Sequence, residues 1–314
     1  MELDLEQIKE ITVGAECVSL REDGGFSFRR FTEEQLAYYA SFPYEISFRT
    51  ECTAGCRLDF HTNSRRLFFQ TLSEGKYEVL VNGLSARLID GQDSVAIVLP
   101  DDPCRVTLLL PNYRVGGLKN IQLDENSWIR PCSYSRAFLF LGDSITQGST
   151  ASRPSCTYVN RISKWFNAKV LNWGIGGSCF DENALAMPNY DPDVVFVAYG
   201  TNDYNTYGTL EEIEQHCKAY LDKVKEYFPQ KQVICILPLW RADGELTLST
   251  GTLADVRERI LEQIKQHGFF CVDGYTLVPH LKEFLADGFL HPNDLGFSYY
   301  SENLIYQISS ILQE

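Results

Sequence analysis

The chain is short of positive charge. Lys and Arg total 28 against 42 Asp and Glu, a formal net charge of −14. A surface of that sign repels phosphate backbones and anionic lipid, which argues against nucleic acid or a membrane as the main partner. Long apolar runs are missing too: nothing approaches the ~20 consecutive apolar residues that span a bilayer. The opening Met1-Glu2-Leu3-Asp4-Leu5-Glu6 has no apolar centre and does not read as a secretory signal. Histidine is scarce, with five in 314 residues. Cys52 and Cys56 stand as C-x-x-x-C with no second pair at zinc-site spacing, so no metal and no other cofactor is expected. Most of the ten cysteines sit in apolar runs such as Val233-Ile234-Cys235-Ile236 and Phe269-Phe270-Cys271-Val272, which read as buried free thiols. A reduced, cytoplasmic compartment is the corresponding expectation. Internal repeats and low-complexity segments are absent.

What is present is the composition of a globular protein with a substantial core: 44% hydrophobic and 22% charged residues. Its length suits two ordinary domains or one large one. From about residue 10 to about 130 the pattern is strand-like. Leu58 and Phe60 alternate onto one face, as do Val106, Leu108 and Leu110. Asn82-Gly83, set between two alternating runs, is the signature of a type I′ hairpin. Further strands are expected at 45–49, 66–70, 94–99 and 117–123, and only 33–39 looks helical. Many short strands separated by turns suggest an antiparallel sandwich or jelly roll.

Near Arg130-Pro131-Cys132-Ser133 the rhythm changes. Strands are expected at 137–141, 169–172, 194–199, 232–237 and 269–272. Helical spacing covers 210–228, 252–267 and 295–312. Strands alternating with helices give an α/β parallel sheet covered on both faces. The expected division is an accessory β-sandwich at 1–133 followed by an α/β domain at 134–314.

Four stretches of the second part fall at expected strand ends, where open α/β sheets bind ligands. Gly142-Asp143-Ser144 follows the first strand and offers a hydroxyl that either caps a turn or acts as a nucleophile. Gly174-Ile175-Gly176-Gly177 follows the second and is either a flexible turn or a place for a backbone N–H to approach a ligand. Gly200-Thr201-Asn202-Asp203 follows the third, and Asn202 is either an Asx turn or a side-chain donor to a developing oxyanion. Before the last helix lies Asp287-Gly288-Phe289-Leu290-His291-Pro292-Asn293-Asp294, where His291 can serve Ser144 as general base.

Together these blocks, in this order, resemble the SGNH (GDSL-type) hydrolase family over roughly residues 136–314. The resemblance implies a flavodoxin-like parallel sheet and a serine esterase mechanism. By motif position it makes Ser144 the nucleophile and His291 the base. It also assigns the oxyanion hole to the backbone N–H groups of Ser144 and Gly177 and the side chain of Asn202. The G-x-S-x-G elbow of the α/β-hydrolases is absent. One position departs from the family pattern. The orienting aspartate usually stands three residues before the histidine; here that residue is Gly288, and Asp287 lies four before. Either Asp287 reaches the imidazole or a backbone carbonyl orients it. Asp294 is expected to cap the last helix, and Asp143 to bond within its turn.

The order of sandwich and hydrolase is similar to that of two-domain carbohydrate acetyl esterases, which implies a small-molecule or oligosaccharide ester as substrate. Trp240 and Arg241, after the fourth strand, are either sugar-binding residues or core. The loop containing Tyr113 and Arg114 either borders the site or is ordinary surface. The alternatives are a short-chain lipid esterase or thioesterase, and a non-catalytic carbohydrate-binding protein on the same scaffold.

Overall fold

The computed structural model describes residues 1–312. Two antiparallel sheets form the first part. One orders its strands Thr12–Val13, Arg57–Thr62, Cys104–Leu109, Lys76–Val81 and Leu84–Asp90, with Ile129–Pro131 also pairing Arg57–Thr62. The other runs Cys17–Leu20, Phe26–Arg29, Gly117–Leu123, Arg66–Thr71 and Ser94–Val98. Alternate residues of both sheets, among them Phe28, Leu58, Phe60, Phe69, Val79, Val106 and Leu118, share one buried core, as the alternation predicts. The hairpin at Asn82-Gly83 forms with φ of 50° and 79°, the left-handed pair a type I′ turn needs.

One local expectation fails here, and one helix lies outside the expectations. Residues 45–49 lie in a helix, Tyr44–Glu51, and Leu5–Ile11 is helical as well. Five residues that alternate in polarity fit one helical turn as well as a strand. Pro43 settles the choice: its carbonyl accepts from the Ile46 and Ser47 N–H groups at 2.9 and 3.1 Å, starting a helix. At Leu5–Ile11 an Asp4–Gln7 capping box supplies the nucleus.

The second part is a five-stranded, all-parallel sheet. In chain order its strands are Arg136–Gly142, Ala168–Gly174, Val194–Ala198, Gln232–Ile236 and Phe270–Val272. In space they run second, first, third, fourth, fifth, the flavodoxin-like order. The first four strands bury both faces. Leu139, Leu141, Val195 and Val197 pack against helices Leu210–Tyr227 and Leu253–His267. Phe138, Phe140, Phe196 and Ile234 pack against Tyr158–Trp165 and Asp294–Ile311. That two-sided burial explains the continuous apolar runs. All ten cysteines are free, but Cys271, expected to be buried, lies on the edge strand and is exposed. No helix among the described residues is long and apolar enough to cross a membrane.

The two parts share buried contacts. Phe31 stacks on Trp173 of the second parallel strand, with centroids 6.0 Å apart. Arg30 is fully buried and ion-paired to no carboxylate among the described residues. Its guanidinium donates only to carbonyls: Cys52 at 2.6 Å, Arg49 at 2.9 Å, Gly174 at 3.1 Å, and Asn172. Burial lowers its pKa to about 10.

Candidate active site

The chain order reverses across the first parallel strand. Its successor lies on one side and the third strand on the other, which opens a crevice at the carboxyl ends of the first and third strands. Ser144 begins the short helix Ser144–Gln147 directly after the first strand. Asp143 caps that helix by accepting from the Ile145 N–H at 2.9 Å, the bond within the turn expected of it. Burial pushes the Asp143 carboxyl up to about 7; the Ile145 N–H offsets this in part, and the nearby Asp203 adds to it.

His291 arrives from the loop before the last helix. Its Nε2 lies 2.8 Å from Ser144 Oγ, and its Nδ1 lies 2.7 Å from Asp287 Oδ2. The other Asp287 oxygen accepts from the N–H groups of Leu290, Phe289 and His291 at 2.8, 2.9 and 3.2 Å. Partial burial pulls this carboxyl upward. The Leu290 N–H, the imidazole and the remaining N–H groups outweigh it and hold the pKa at about 2. Of the two ways to orient His291, the structure contains the one through Asp287, four residues before the histidine. The last helix is capped by Asn293, not Asp294: Asn293 Oδ1 accepts from the Gly296 N–H at 2.9 Å. Asp294 instead accepts from the Ser152 N–H at 2.8 Å, tying the last helix to the segment after the serine helix.

The loops after the second and third strands close the crevice. Gly177 has φ of 83°, the left-handed region that favours glycine. A Cβ on Gly176 would collide with the Tyr113 hydroxyl, so the loop that carries Tyr113 does lie against this site. Among the described residues, neither the Ser144 nor the Gly177 backbone N–H donates to an acceptor. Asn202 Nδ2 donates to the Ser178 carbonyl at 2.9 Å, which leaves its second amide hydrogen free. Asp203, fully buried, accepts from the Gly200 and Phe180 N–H groups at 2.9 Å each and so ties these two loops together. Burial pushes its carboxyl up to about 6, partly offset by those N–H groups.

The fourth-strand residues behave differently. Trp240 is half-buried and stacks on His280, centroids 5.6 Å apart, so one face of its ring is occupied. Arg241 is 2% exposed. Its Nε and Nη2 bond Asp243 at 2.6 and 3.0 Å, and its Nη1 bonds the Thr201 carbonyl at 2.8 Å. These bonds turn the guanidinium inward, toward Asp243 and Thr201. Arg241 clamps the third-strand loop beside Asn202.

Sequence reasoning missed two residues around the Gly176–Gly177 peptide. Gln147 Oε1 accepts from the Gly176 N–H at 2.8 Å. Arg49 Nη1 donates to the Gly176 carbonyl at 2.6 Å. Gln147 belongs to the serine block itself and was open to notice. Arg49 lies 127 positions from its partner, with no local signal to mark it.

Comparison with known proteins follows the same lines. A model of the GDSL-like lipase/acylhydrolase family matches residues 140–298. No curated protein sequence matches the chain. Among solved structures, the salicylyl-acyltransferase SsfX3 from a tetracycline biosynthetic pathway is similar over 99% of this chain and 97% of its own, with 19% identity and a TM-score of 0.84. A Bacteroides ovatus protein described as a GDSL-like lipase is similar over 98% and 97%, with 20% identity and a TM-score of 0.78. A family two carbohydrate esterase from Cellvibrio japonicus is similar over 96% and 95%, with 16% identity and a TM-score of 0.67. At these identities the likeness is one of fold.

Proposed function

Because the chain belongs to the GDSL-like lipase/acylhydrolase family, we propose that it is a serine esterase that removes small acyl groups, acetyl foremost, from O-acylated carbohydrate. The observation that carries the reading is the 2.8 Å approach of Ser144 Oγ to His291 Nε2, backed by Asp287 at 2.7 Å. In this reading Ser144 attacks the ester carbonyl while His291 takes the hydroxyl proton. Asp287, ionised at neutral pH, stabilises the imidazolium that forms. The N–H groups of Ser144 and Gly177 and the free amide hydrogen of Asn202 receive the oxyanion. The tetrahedral intermediate collapses, the proton passes from His291 to the departing sugar oxygen, and an acyl-serine remains. Water, deprotonated by His291, then releases the carboxylic acid and restores Ser144.

The likeness over the whole chain to an acyltransferase favours a second reading, in which a hydroxyl other than water relieves the same acyl-enzyme. Acetate release from a panel of acetylated mono- and oligosaccharides, run beside Ser144→Ala, tests the first reading. Turnover of acetylated sugars that vanishes in Ser144→Ala is the expected result. Release only from long-chain acyl esters would reject the acetyl preference. Ester products formed when alcohol acceptors are added would point to transfer.

A further inference from the structure

The peptide between Gly176 and Gly177 carries the N–H assigned above to the oxyanion. A trans peptide is planar, and its C=O and N–H point in opposite directions. Whatever holds the Gly176 carbonyl therefore aims the Gly177 N–H. That carbonyl is held by Arg49 Nη1 at 2.6 Å. The preceding N–H, on Gly176, is held by Gln147 Oε1 at 2.8 Å. A peptide joining two glycines flips at little conformational cost, so these bonds, rather than the backbone, fix its orientation.

Arg49 comes from helix Tyr44–Glu51, outside the parallel sheet. It is anchored from below: Arg30 donates to the Arg49 carbonyl at 2.9 Å and to the Gly174 carbonyl at 3.1 Å, fixing the helix end against the start of the glycine loop. Its guanidinium lies 5.8 Å from the Tyr113 ring centroid. Among the described residues no carboxylate pairs with it. In a chain of net charge −14, an uncompensated cation sits one peptide away from the expected oxyanion. A cation on a carbonyl polarises the amide and strengthens its N–H as a donor.

We propose that Arg49 is a positioning residue of the oxyanion site: it holds the Gly176 carbonyl and so aims and polarises the Gly177 N–H. This rests on the esterase reading and on the role given there to Gly177. The first part of the chain then completes the reaction centre and is not merely attached to it.

The test uses the full-length protein and 4-nitrophenyl acetate, with thermal melting as a check on folding. Arg49→Met keeps much of the aliphatic stem and removes the donor. Its kcat should fall about tenfold or more, short of the roughly hundred- to thousandfold of a lost oxyanion donor because the Gly177 N–H remains, with KM within about twofold. Arg49→Lys, which still reaches the carbonyl with a cation, should recover part of the loss. Guanidinium added to Arg49→Ala should restore kcat in part, a response that a packing defect does not give. A folded Arg49→Met with the wild-type kcat overturns the proposal. So does a loss that neither Lys nor guanidinium relieves. If Arg49→Met fails to fold, Arg49→Ala with guanidinium decides alone. Wild-type protein without Ser144-dependent turnover would sink the esterase reading first; Ser144-dependent turnover that ignores Arg49 sinks only this inference.

Discussion

Two carboxyls flank Ser144 and are pulled in opposite directions. Asp287 is held at about 2 by three N–H groups and an imidazole. Its contribution to stability is present above the ordinary carboxylate range and is lost as pH falls toward 2. Asp143 is pushed up to about 7 by burial. Between about pH 4 and about pH 7 the unfolded chain gives up this proton while the folded one keeps it, so stability falls as pH rises across that window. Asn at this position keeps an acceptor for the Ile145 N–H and carries no charge. Asp143→Asn is therefore expected to flatten the decline and to gain on the order of a few kcal/mol over wild type near pH 8, with little difference near pH 4. Urea titrations at the two pH values measure it; parallel curves for the two proteins at both would refute the burial of an ionisable Asp143.

At the scale of elements, legibility followed the length of the signal. The five parallel strands and their covering helices run far enough for periodicity to separate them, and three blocks of the crevice sit at strand ends that the apolar runs mark, with the fourth just before the last helix. The helix Tyr44–Glu51 was not legible, because alternation over 45–49 suits either structure and Pro43 decided it through two backbone bonds. Arg49 was hidden for the same reason, since its role exists only once a distant loop folds against that helix. The internal bonds of Arg241 were not legible, because a strand-end position does not say which way a long side chain turns, and Asp243 lay two residues away to receive it. At the last helix, one residue separated the expected cap from the actual one. Asn293 accepts from the Gly296 N–H at 2.9 Å and donates to the Glu283 carbonyl at 2.7 Å. Asn293→Ala should cost about 1 kcal/mol or somewhat more, and Asn293→Asp, which retains the acceptor, should cost less; equal losses on thermal melting would show that the cap contributes nothing.

Across the whole molecule, the antiparallel sheets and the parallel sheet are joined through buried groups rather than a linker. Phe31, Tyr39 and Trp173 belong to one core, and that core reaches Leu139 and Val197 in the centre of the parallel sheet. Circular dichroism and tryptophan fluorescence should therefore report one coincident unfolding transition; two resolved steps would contradict a shared core. The clasp at Arg30 sharpens this expectation. Its partners are all peptide oxygens, so it contains no acid to neutralise, and its depth keeps dissolved ions from shielding it. Vinegar-like acidity or brine, which loosens pairs between surface side chains, should leave this fastening closed, so the halves would come apart only when the entire chain melts.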